Sequence, residues 1–309
     1  MQKNNHEITI CTIIKSMKNI LFFTLYIIFF AVLSSLVFTL LYMQFDEQPM
    51  LALNKAIKYG AILMCVIFIV PAMKMLNLYD RQLVGFLETK IKFLQNIFKG
   101  FVLSCCLSIP LLFLFSYLNV REIDFSGVFN QSFLYIILFT VFISLLISFI
   151  EESFFRGVMI QKSNNSILTF NVVVLSSLVY SLFHFIKIPL IIDSDLFWNT
   201  GLKEVLIAFS NFFKTINFDA AITLLMFGIL LGIIRVKHNT VSYGIGIHAG
   251  FIFIIKTFKI NSSVNFDSSN NFLISHYDQF TGHLATTWII VLISIYLIFS
   301  NKKNNNPSL

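Results

Sequence analysis

Glu151 and Glu152, with Arg156 four residues after the second, sit inside a stretch that reads as a membrane-spanning helix: Phe149-Ile150-Glu151-Glu152-Ser153-Phe154-Phe155-Arg156-Gly157. The 18 residues from Phe133 to Ile150 before them are almost purely apolar, and Val158-Met159-Ile160 follow. Ionised side chains at bilayer depth cost several kcal/mol each, so they persist where they face a protein interior or a wet cavity and mark function. Glu152 and Arg156 share one helix face with the acid N-terminal, the favourable order for pairing. Glu151 is rotated about 100° away from Glu152. It is left with a carboxylate neighbour and apolar surroundings, and both favour the neutral acid. A carboxyl group tuned in this way suits a general base that activates water. The alternative is a pair of acids that merely locks helices together, but two acids for one arginine leave one unexplained.

Two histidines complete the set. His184 lies in Val179-Tyr180-Ser181-Leu182-Phe183-His184-Phe185, and His248 in Gly244-Ile245-Gly246-Ile247-His248-Ala249-Gly250. Between Glu151 and His184 lies the polar turn Ser163-Asn164-Asn165-Ser166. At 1.5 Å per residue, Glu151 and His184 lie roughly 20 and 27 Å from that turn, so an antiparallel hairpin brings them to similar depth. His248 is roughly 15 Å past Lys237-His238 by the same rise. Gly244, Gly246 and Gly250 would let other backbones approach closely around it.

The elements that must position these residues are membrane helices. Of the 309 residues, 57% are hydrophobic and 12% charged, and the mean hydropathy is +0.82. A soluble domain carries about 25% charged residues. The fold class is therefore all-α, a polytopic membrane bundle of about eight transmembrane helices. Candidate spans run about 20–43, 57–77, 100–118, 133–161, 168–191, 217–236, 240–260 and 284–300. Asp80 to Lys99 is amphipathic, with Leu83, Phe86, Leu87, Ile91, Leu94 and Phe98 at helical spacing, and reads as an interfacial helix. Leu196 to Phe218 is a second partly apolar connection and a further interfacial candidate. The organisation expected is a cytoplasmic arm at 1–19, N-terminal helices at 20–129, a catalytic core at 130–260, a last loop and helix at 261–300, and a disordered tail at 301–309.

The net charge of +7 is spread over loops, where it sets topology rather than binding nucleic acid. Lys3, Lys15, Lys18, Lys74, Arg81, Lys90, Lys92, Lys99, Lys162, Arg235, Lys237, Lys302 and Lys303 fall on one side of an eight-span arrangement. Asp46, Glu47, Glu122, Asp124, Asp193, Asp195, Asp267 and Asp278 fall on the other, diluted by Arg121, Lys187, Lys203, Lys214 and Lys259. Both termini are thus expected to face the cytoplasm. Cys11, Cys65, Cys105 and Cys106 lack metal-ligand spacing and read as small hydrophobes.

The order Glu-Glu-x-x-x-Arg, then aromatic-x-x-x-His, then a glycine-rich span with His-Ala-Gly resembles the CAAX-protease and bacteriocin-processing (CPBP) family. These are intramembrane endopeptidases related to the type II CAAX prenyl protease. The resemblance covers roughly residues 130 to 255. It implies that Glu151 activates water, that Glu152 and Arg156 complete the first motif, and that His184 and His248 are catalytic. Tyr180 stands where that family usually has Phe. Ile252 stands where it commonly has Asn or Asp, the asparagine helping to stabilise the oxyanion. Lys256, one turn further, and Tyr180 are the nearest polar substitutes.

The function expected is an intramembrane endopeptidase that hydrolyses a membrane-associated or lipidated substrate with glutamate-activated water. The alternatives are a non-proteolytic scaffold or bacteriocin-immunity protein using the same polar core, and a proton-coupled transporter, which the lack of internal repeats disfavours. No cofactor is required by this chemistry. Zinc held by Glu151, His184 and His248 is the alternative, because two His and one Glu make a catalytic zinc set; no HExxH pairing forces it. The partners expected are a membrane-protein, peptide or prenylated-peptide substrate and the lipid bilayer, in a bacterial inner membrane.

Overall fold

The computed structural model describes residues 2–45, 51–124, 131–160, 166–191 and 196–305, with the side chains of 2–16, 131–132 and 301–305 left aside. Asp46, Glu47, Lys162, Asp193, Asp195, most of the polar turn at 163–166 and residues 306–309 lie outside the described residues. Among the described residues, eight helices are long and apolar enough to cross a membrane: Met17–Tyr42, Leu53–Met75, Lys90–Tyr117, Phe133–Val158, Ser166–Phe183, Phe218–His238, Ser242–Ile260 and His283–Ser300. The chain is a multi-pass membrane protein.

It divides into two compact units. The first comprises Met1–Asp80 and Leu182–Ile216. It holds α1 (Gln2–Tyr42), α2 (Leu53–Met75), α6 (Thr200–Ser210) and the single turn α7 (Phe212–Thr215). α1 and α2 meet where Gly60 lacks a side chain: a Cβ there would lie 2.6 Å from Ser34 Oγ. Ser34 Oγ donates to the Ile57 carbonyl at 2.8 Å. α6 docks on the same pair, its Gly201 N–H donating to Thr39 Oγ1 at 3.2 Å.

The second unit comprises Arg81–Ser181 and Asn217–Leu309. It holds α3 (Lys90–Tyr117), β1 (Arg121–Ile123), α4 (Gln131–Glu152), a π-helical turn (Ser153–Val158), most of α5 (Ser166–Phe183), α8 (Phe218–His238), α9 (Ser242–Ile260), β2 (Ser262–Val264) and α10 (His283–Asn305). α9 packs against α3, α4 and α8. The packing obeys membrane rather than aqueous patterning. On α4 the large residues Leu134, Leu138, Phe142 and Phe149 are exposed, whereas Thr140, Ser144, Ser148 and Glu152 are buried. α3 buries Asn96, Gly100, Ser104 and Ser108 at the same spacing of four. Lipid is as apolar as leucine, so only small or hydrogen-bonding residues gain by facing a neighbouring helix.

The α3–α9 contact is backbone-close. A Cβ on Gly246 would strike the Ile97 carbonyl oxygen, and one on Gly250 would strike Ser104 Oγ. Gly246→Ala should therefore force the helices apart and cost roughly 1–3 kcal/mol. Thermal unfolding in detergent reads this directly; a midpoint equal to wild type would show that the two helices slide without loss.

Three expectations are corrected. Residues 81–89 form turns, not an interfacial helix: Gly85 has φ +82°, which breaks a helix, and Thr89 caps the start of α3 by accepting from Lys92 N. The span expected at 100–118 thus begins at Lys90. α5 ends at Phe183, not near 191, and Pro189 bars a regular helix through Ile188 in any case. Finally, α10 continues through Asn305, so the tail expected to be disordered from 301 is helical that far. The second interfacial candidate is α6 followed by α7. The N-terminal arm is part of α1.

Opposite the 81–89 turns along α9, the loop between α9 and α10 is tied down. β1 and β2 pair antiparallel, with Arg121 opposite Val264. The Arg121 guanidinium donates to Ser262 Oγ, the Ser262 carbonyl and the Gln279 carbonyl, each at 2.9 Å. Lys259 Nζ meets Asp278 Oδ2 at 3.1 Å. Burial acts to raise the Asp278 carboxyl, but Lys259 and hydrogen bonds from Thr281 outweigh it and hold it below the ordinary carboxylate range. A depressed acid stabilises the fold above its unfolded value, about 3.9, and loses that contribution as pH falls through the lower folded value. Asp278→Asn should accordingly cost about 1–2 kcal/mol at neutral pH and progressively less as pH falls below about 3.9. Unfolding midpoints of both proteins across pH 3–7 test this; a constant difference would count against it.

Candidate active site

The last residues of α4, the π-turn and the first half of α9 place four ionisable side chains together in the second unit. Glu152 is fully buried, Arg156 and His248 nearly so, whereas the Glu151 side chain keeps 27% exposure. Arg156 Nη1 lies 3.3 Å from Glu152 Oε1, the i to i+4 pair read from the sequence. The same Glu152 oxygen lies 3.0 Å from His248 Nδ1. On the other side of the ring, His248 Nε2 is 3.8 Å from Glu151 Oε2. The imidazole thus stands between the two acids. Glu152 serves Arg156 and His248 at once, a link that the motif spacing did not reveal.

Aromatic rings fix this arrangement. The Phe227 ring meets the imidazole edge to face at 5.2 Å, and Tyr180 does so at 6.1 Å. The Arg156 guanidinium lies 4.4 Å from the Tyr180 ring centroid. A desolvated cation over an aromatic face is worth about 2 kcal/mol, so Tyr180 is a support for Arg156. Gly244 makes room for the acid: a Cβ there would come 3.0 Å from Glu152 Oε2. Among the described residues, Glu152 Oε2, Glu151 Oε2 and Arg156 Nε and Nη1 have no hydrogen-bond partner. Buried polar atoms are normally hydrogen-bonded, so four such atoms in one cluster set this place apart from the rest of the bundle.

The other candidates fall as follows. Ile252 and Lys256, one and two turns past His248, are half-buried. Lys256 forms no ion pair among the described residues. His184 belongs to the first unit, in the turn after α5, where Phe185 N donates to the Leu182 carbonyl at 3.1 Å. It is half-buried and is not a residue of a membrane helix, as the longer span had implied. Among the described residues no three His, Cys, Asp or Glu side chains form a set that could hold a metal ion.

The sequence reading missed Phe227, whose only signal was its place in an apolar run. It also missed a second polar cluster at the start of α9. There Glu88 Oε2 accepts from Ser242 Oγ at 2.6 Å and Thr240 Oγ1 at 2.9 Å, and Glu88 Oε1 accepts from Asn96 Nδ2 at 2.7 Å. This cluster fixes the end of α9 that carries Gly244 and His248.

No curated protein and no solved structure matches the chain significantly. Residues 132–254 match the model of the family described as type II CAAX prenyl endopeptidase Rce1-like. The match takes in Glu151, Glu152, Arg156, Tyr180, His184, His248 and Ile252, and covers less than half of the chain. The segment that carries the paired acids and the imidazole is thus similar to that family, in line with the resemblance of the sequence motifs.

Proposed function

We propose that the protein is an intramembrane endopeptidase in which Glu151 activates water. The supporting observation is the His248 ring standing between two unlike acids, one closed off against Arg156 and one still reachable by solvent. Glu152, held by Arg156, accepts at Nδ1 and so fixes the tautomer and direction of the ring. Nε2 then faces the same space as the Glu151 carboxylate. The Glu151 carboxylate takes a proton from water as the water oxygen bonds to a peptide carbonyl carbon. The carbonyl oxygen becomes an oxyanion, and His248 positions the water or, protonated, donates to that oxyanion. Collapse breaks the C–N bond, and the proton passes to the leaving nitrogen. The apolar surroundings strengthen each of these interactions. A role for His184 rests on the resemblance alone.

The substrate class proposed is a membrane-tethered or prenylated peptide, cleaved without a metal, in a bacterial inner membrane with both chain termini cytoplasmic. The test is a peptidomic comparison of membranes carrying wild type and Glu151→Gln, followed by cleavage of the candidate peptide in proteoliposomes with and without a zinc chelator. Glu151-dependent, chelator-insensitive cleavage supports the reading. Chelator-sensitive cleavage would replace the metal-free route by a zinc route.

One observation favours the scaffold reading: Ile252 offers no donor where the family commonly has Asn. A lost oxyanion donor is worth about 2.7–4 kcal/mol, so the wild-type enzyme should be slow and Ile252→Asn should cleave faster by roughly 10²-fold or more. Equal, absent cleavage by wild type, Ile252→Asn and Glu151→Gln on a broad membrane-peptide panel would move the reading to a scaffold.

A further inference from the structure

Where Glu152 ends α4, the backbone widens into the π-turn Ser153–Val158, and Met159 N donates five residues back, to the Phe154 carbonyl at 3.2 Å. In a regular helix Met159 N would bond to Phe155 O. The carbonyls of Phe155 and Arg156 are instead taken by side chains from two other helices. Ser176 Oγ on α5 donates to Phe155 O at 2.7 Å, and Arg235 Nε on α8 donates to Arg156 O at 3.2 Å. Neither side chain does what its position leads one to expect. Serines in membrane helices commonly bond to their own preceding turn, as the adjacent Ser177 does to Val173 O at 2.7 Å. Ser176, equally buried, reaches across to the π-turn instead. Arg235, counted by sequence among the loop cations that set topology, is only 3% exposed and has no carboxylate partner among the described residues. Its remaining donors reach Leu83 O at 2.8 Å and Asn239 Oδ1 at 3.4 Å. A buried guanidinium without an acid is costly and persists here on carbonyl groups.

We propose that Ser176 and Arg235 are positioning residues that hold the π-turn open and, through it, align Glu152 and Arg156 with His248. The physical basis is rotational. A π-turn carries one residue more than an α-turn, so its collapse would rotate everything beyond it by about 100°. Arg156, inside the turn, would then rotate away from the Tyr180 ring that holds it, and the Glu152–Arg156 pair, which a spacing of four keeps on one helix face, would be redirected relative to Nδ1. Functional sites repeatedly use such turns, and here the turn is held by two donors that touch none of the reacting groups.

The activity part of the test rests on the proposed endopeptidase; the spectroscopic part does not. The full-length protein in detergent, labelled with ¹⁵N-histidine, reports the His248 ring nitrogens, assigned by their loss in His248→Ala. Ser176→Ala and Arg235→Met should shift these signals toward those of Glu152→Gln, whereas Ser176→Thr, which keeps the hydroxyl, should resemble wild type. On a cleaved substrate, Ser176→Ala should lower kcat by about 10- to 100-fold, the range expected for a displacement near 1 Å, with KM within about twofold. Wild-type imidazole signals in folded Ser176→Ala would overturn the proposal. If Arg235→Met does not fold, Ser176→Ala beside Ser176→Thr decides it. If wild type cleaves nothing, the enzymatic reading fails while the imidazole signals still test the π-turn.

Discussion

Glu151→Gln is expected to abolish cleavage while leaving folded protein at wild-type yield. The amide keeps the size of the acid but cannot take a proton from water, and general-base catalysis contributes roughly 10²–10⁴ in rate. Folding should be spared because Glu151 is the less committed acid. His248 Nε2 lies 3.8 Å from its carboxylate, outside hydrogen-bond reach, and its side chain still meets solvent. Glu152→Gln should behave differently. It weakens the hold on His248 Nδ1 and on Arg156 together, so it should lower both activity and yield. Yield is read by size-exclusion recovery of the detergent-solubilised protein, and activity by cleavage in proteoliposomes. A Glu151→Gln protein that cleaves at more than about a tenth of the wild-type rate would refute the assignment of Glu151 as the base.

The second large effect is on stability. Arg156→Ala should cost roughly 3–5 kcal/mol, the penalty for leaving one member of a buried pair without its partner. Glu152 is fully buried and, among the described residues, would retain only His248. The variant also removes the guanidinium from the Tyr180 face and the 3.4 Å contact to the Gly228 carbonyl. Adding Glu152→Gln to Arg156→Ala should recover part of the loss, because the orphaned charge is then gone. Arg156→Lys should lie between, since an ammonium keeps the charge but not the planar fork that stacks on Tyr180. Strictly additive losses in the double variant would show that the pair is not coupled.

The sequence carried the membrane architecture in plain view. Runs of about twenty apolar residues can be little else, so the eight spans were legible from hydropathy alone. The pairing of Glu152 with Arg156 was legible too, because a spacing of four residues is a local property of a helix. Packing against α3 around Gly246 and Gly250 was foreshadowed by the glycines, although the partner helix was not. The four-residue rows of small polar residues on α3 and α4 were a signal that could have named it, since only such residues gain by facing another helix in lipid.

What tertiary structure decided is of another kind. Whether Asp80 to Lys99 is one amphipathic helix or a set of turns leading into a span depended on Gly85 at positive φ, which periodicity does not register. That α5 stops at Phe183, well short of Pro189, is not written in the apolar run, and this took His184 out of the helix assigned to it. The place of the His248 ring between two acids depended on the rotation of α9 relative to α4, a relation between segments about a hundred residues apart that no spacing encodes. Arg235 shows the limit most clearly. By composition it is one more loop cation, and by its neighbours in space it is a buried donor to the backbone beneath the paired acids. Local residue patterns determined which segments cross the membrane and which side chains share a helix face, because both follow from hydropathy and the helical repeat. Only the folded unit determined which faces meet, because that follows from long-range packing and from where each unsatisfied carbonyl finds its donor.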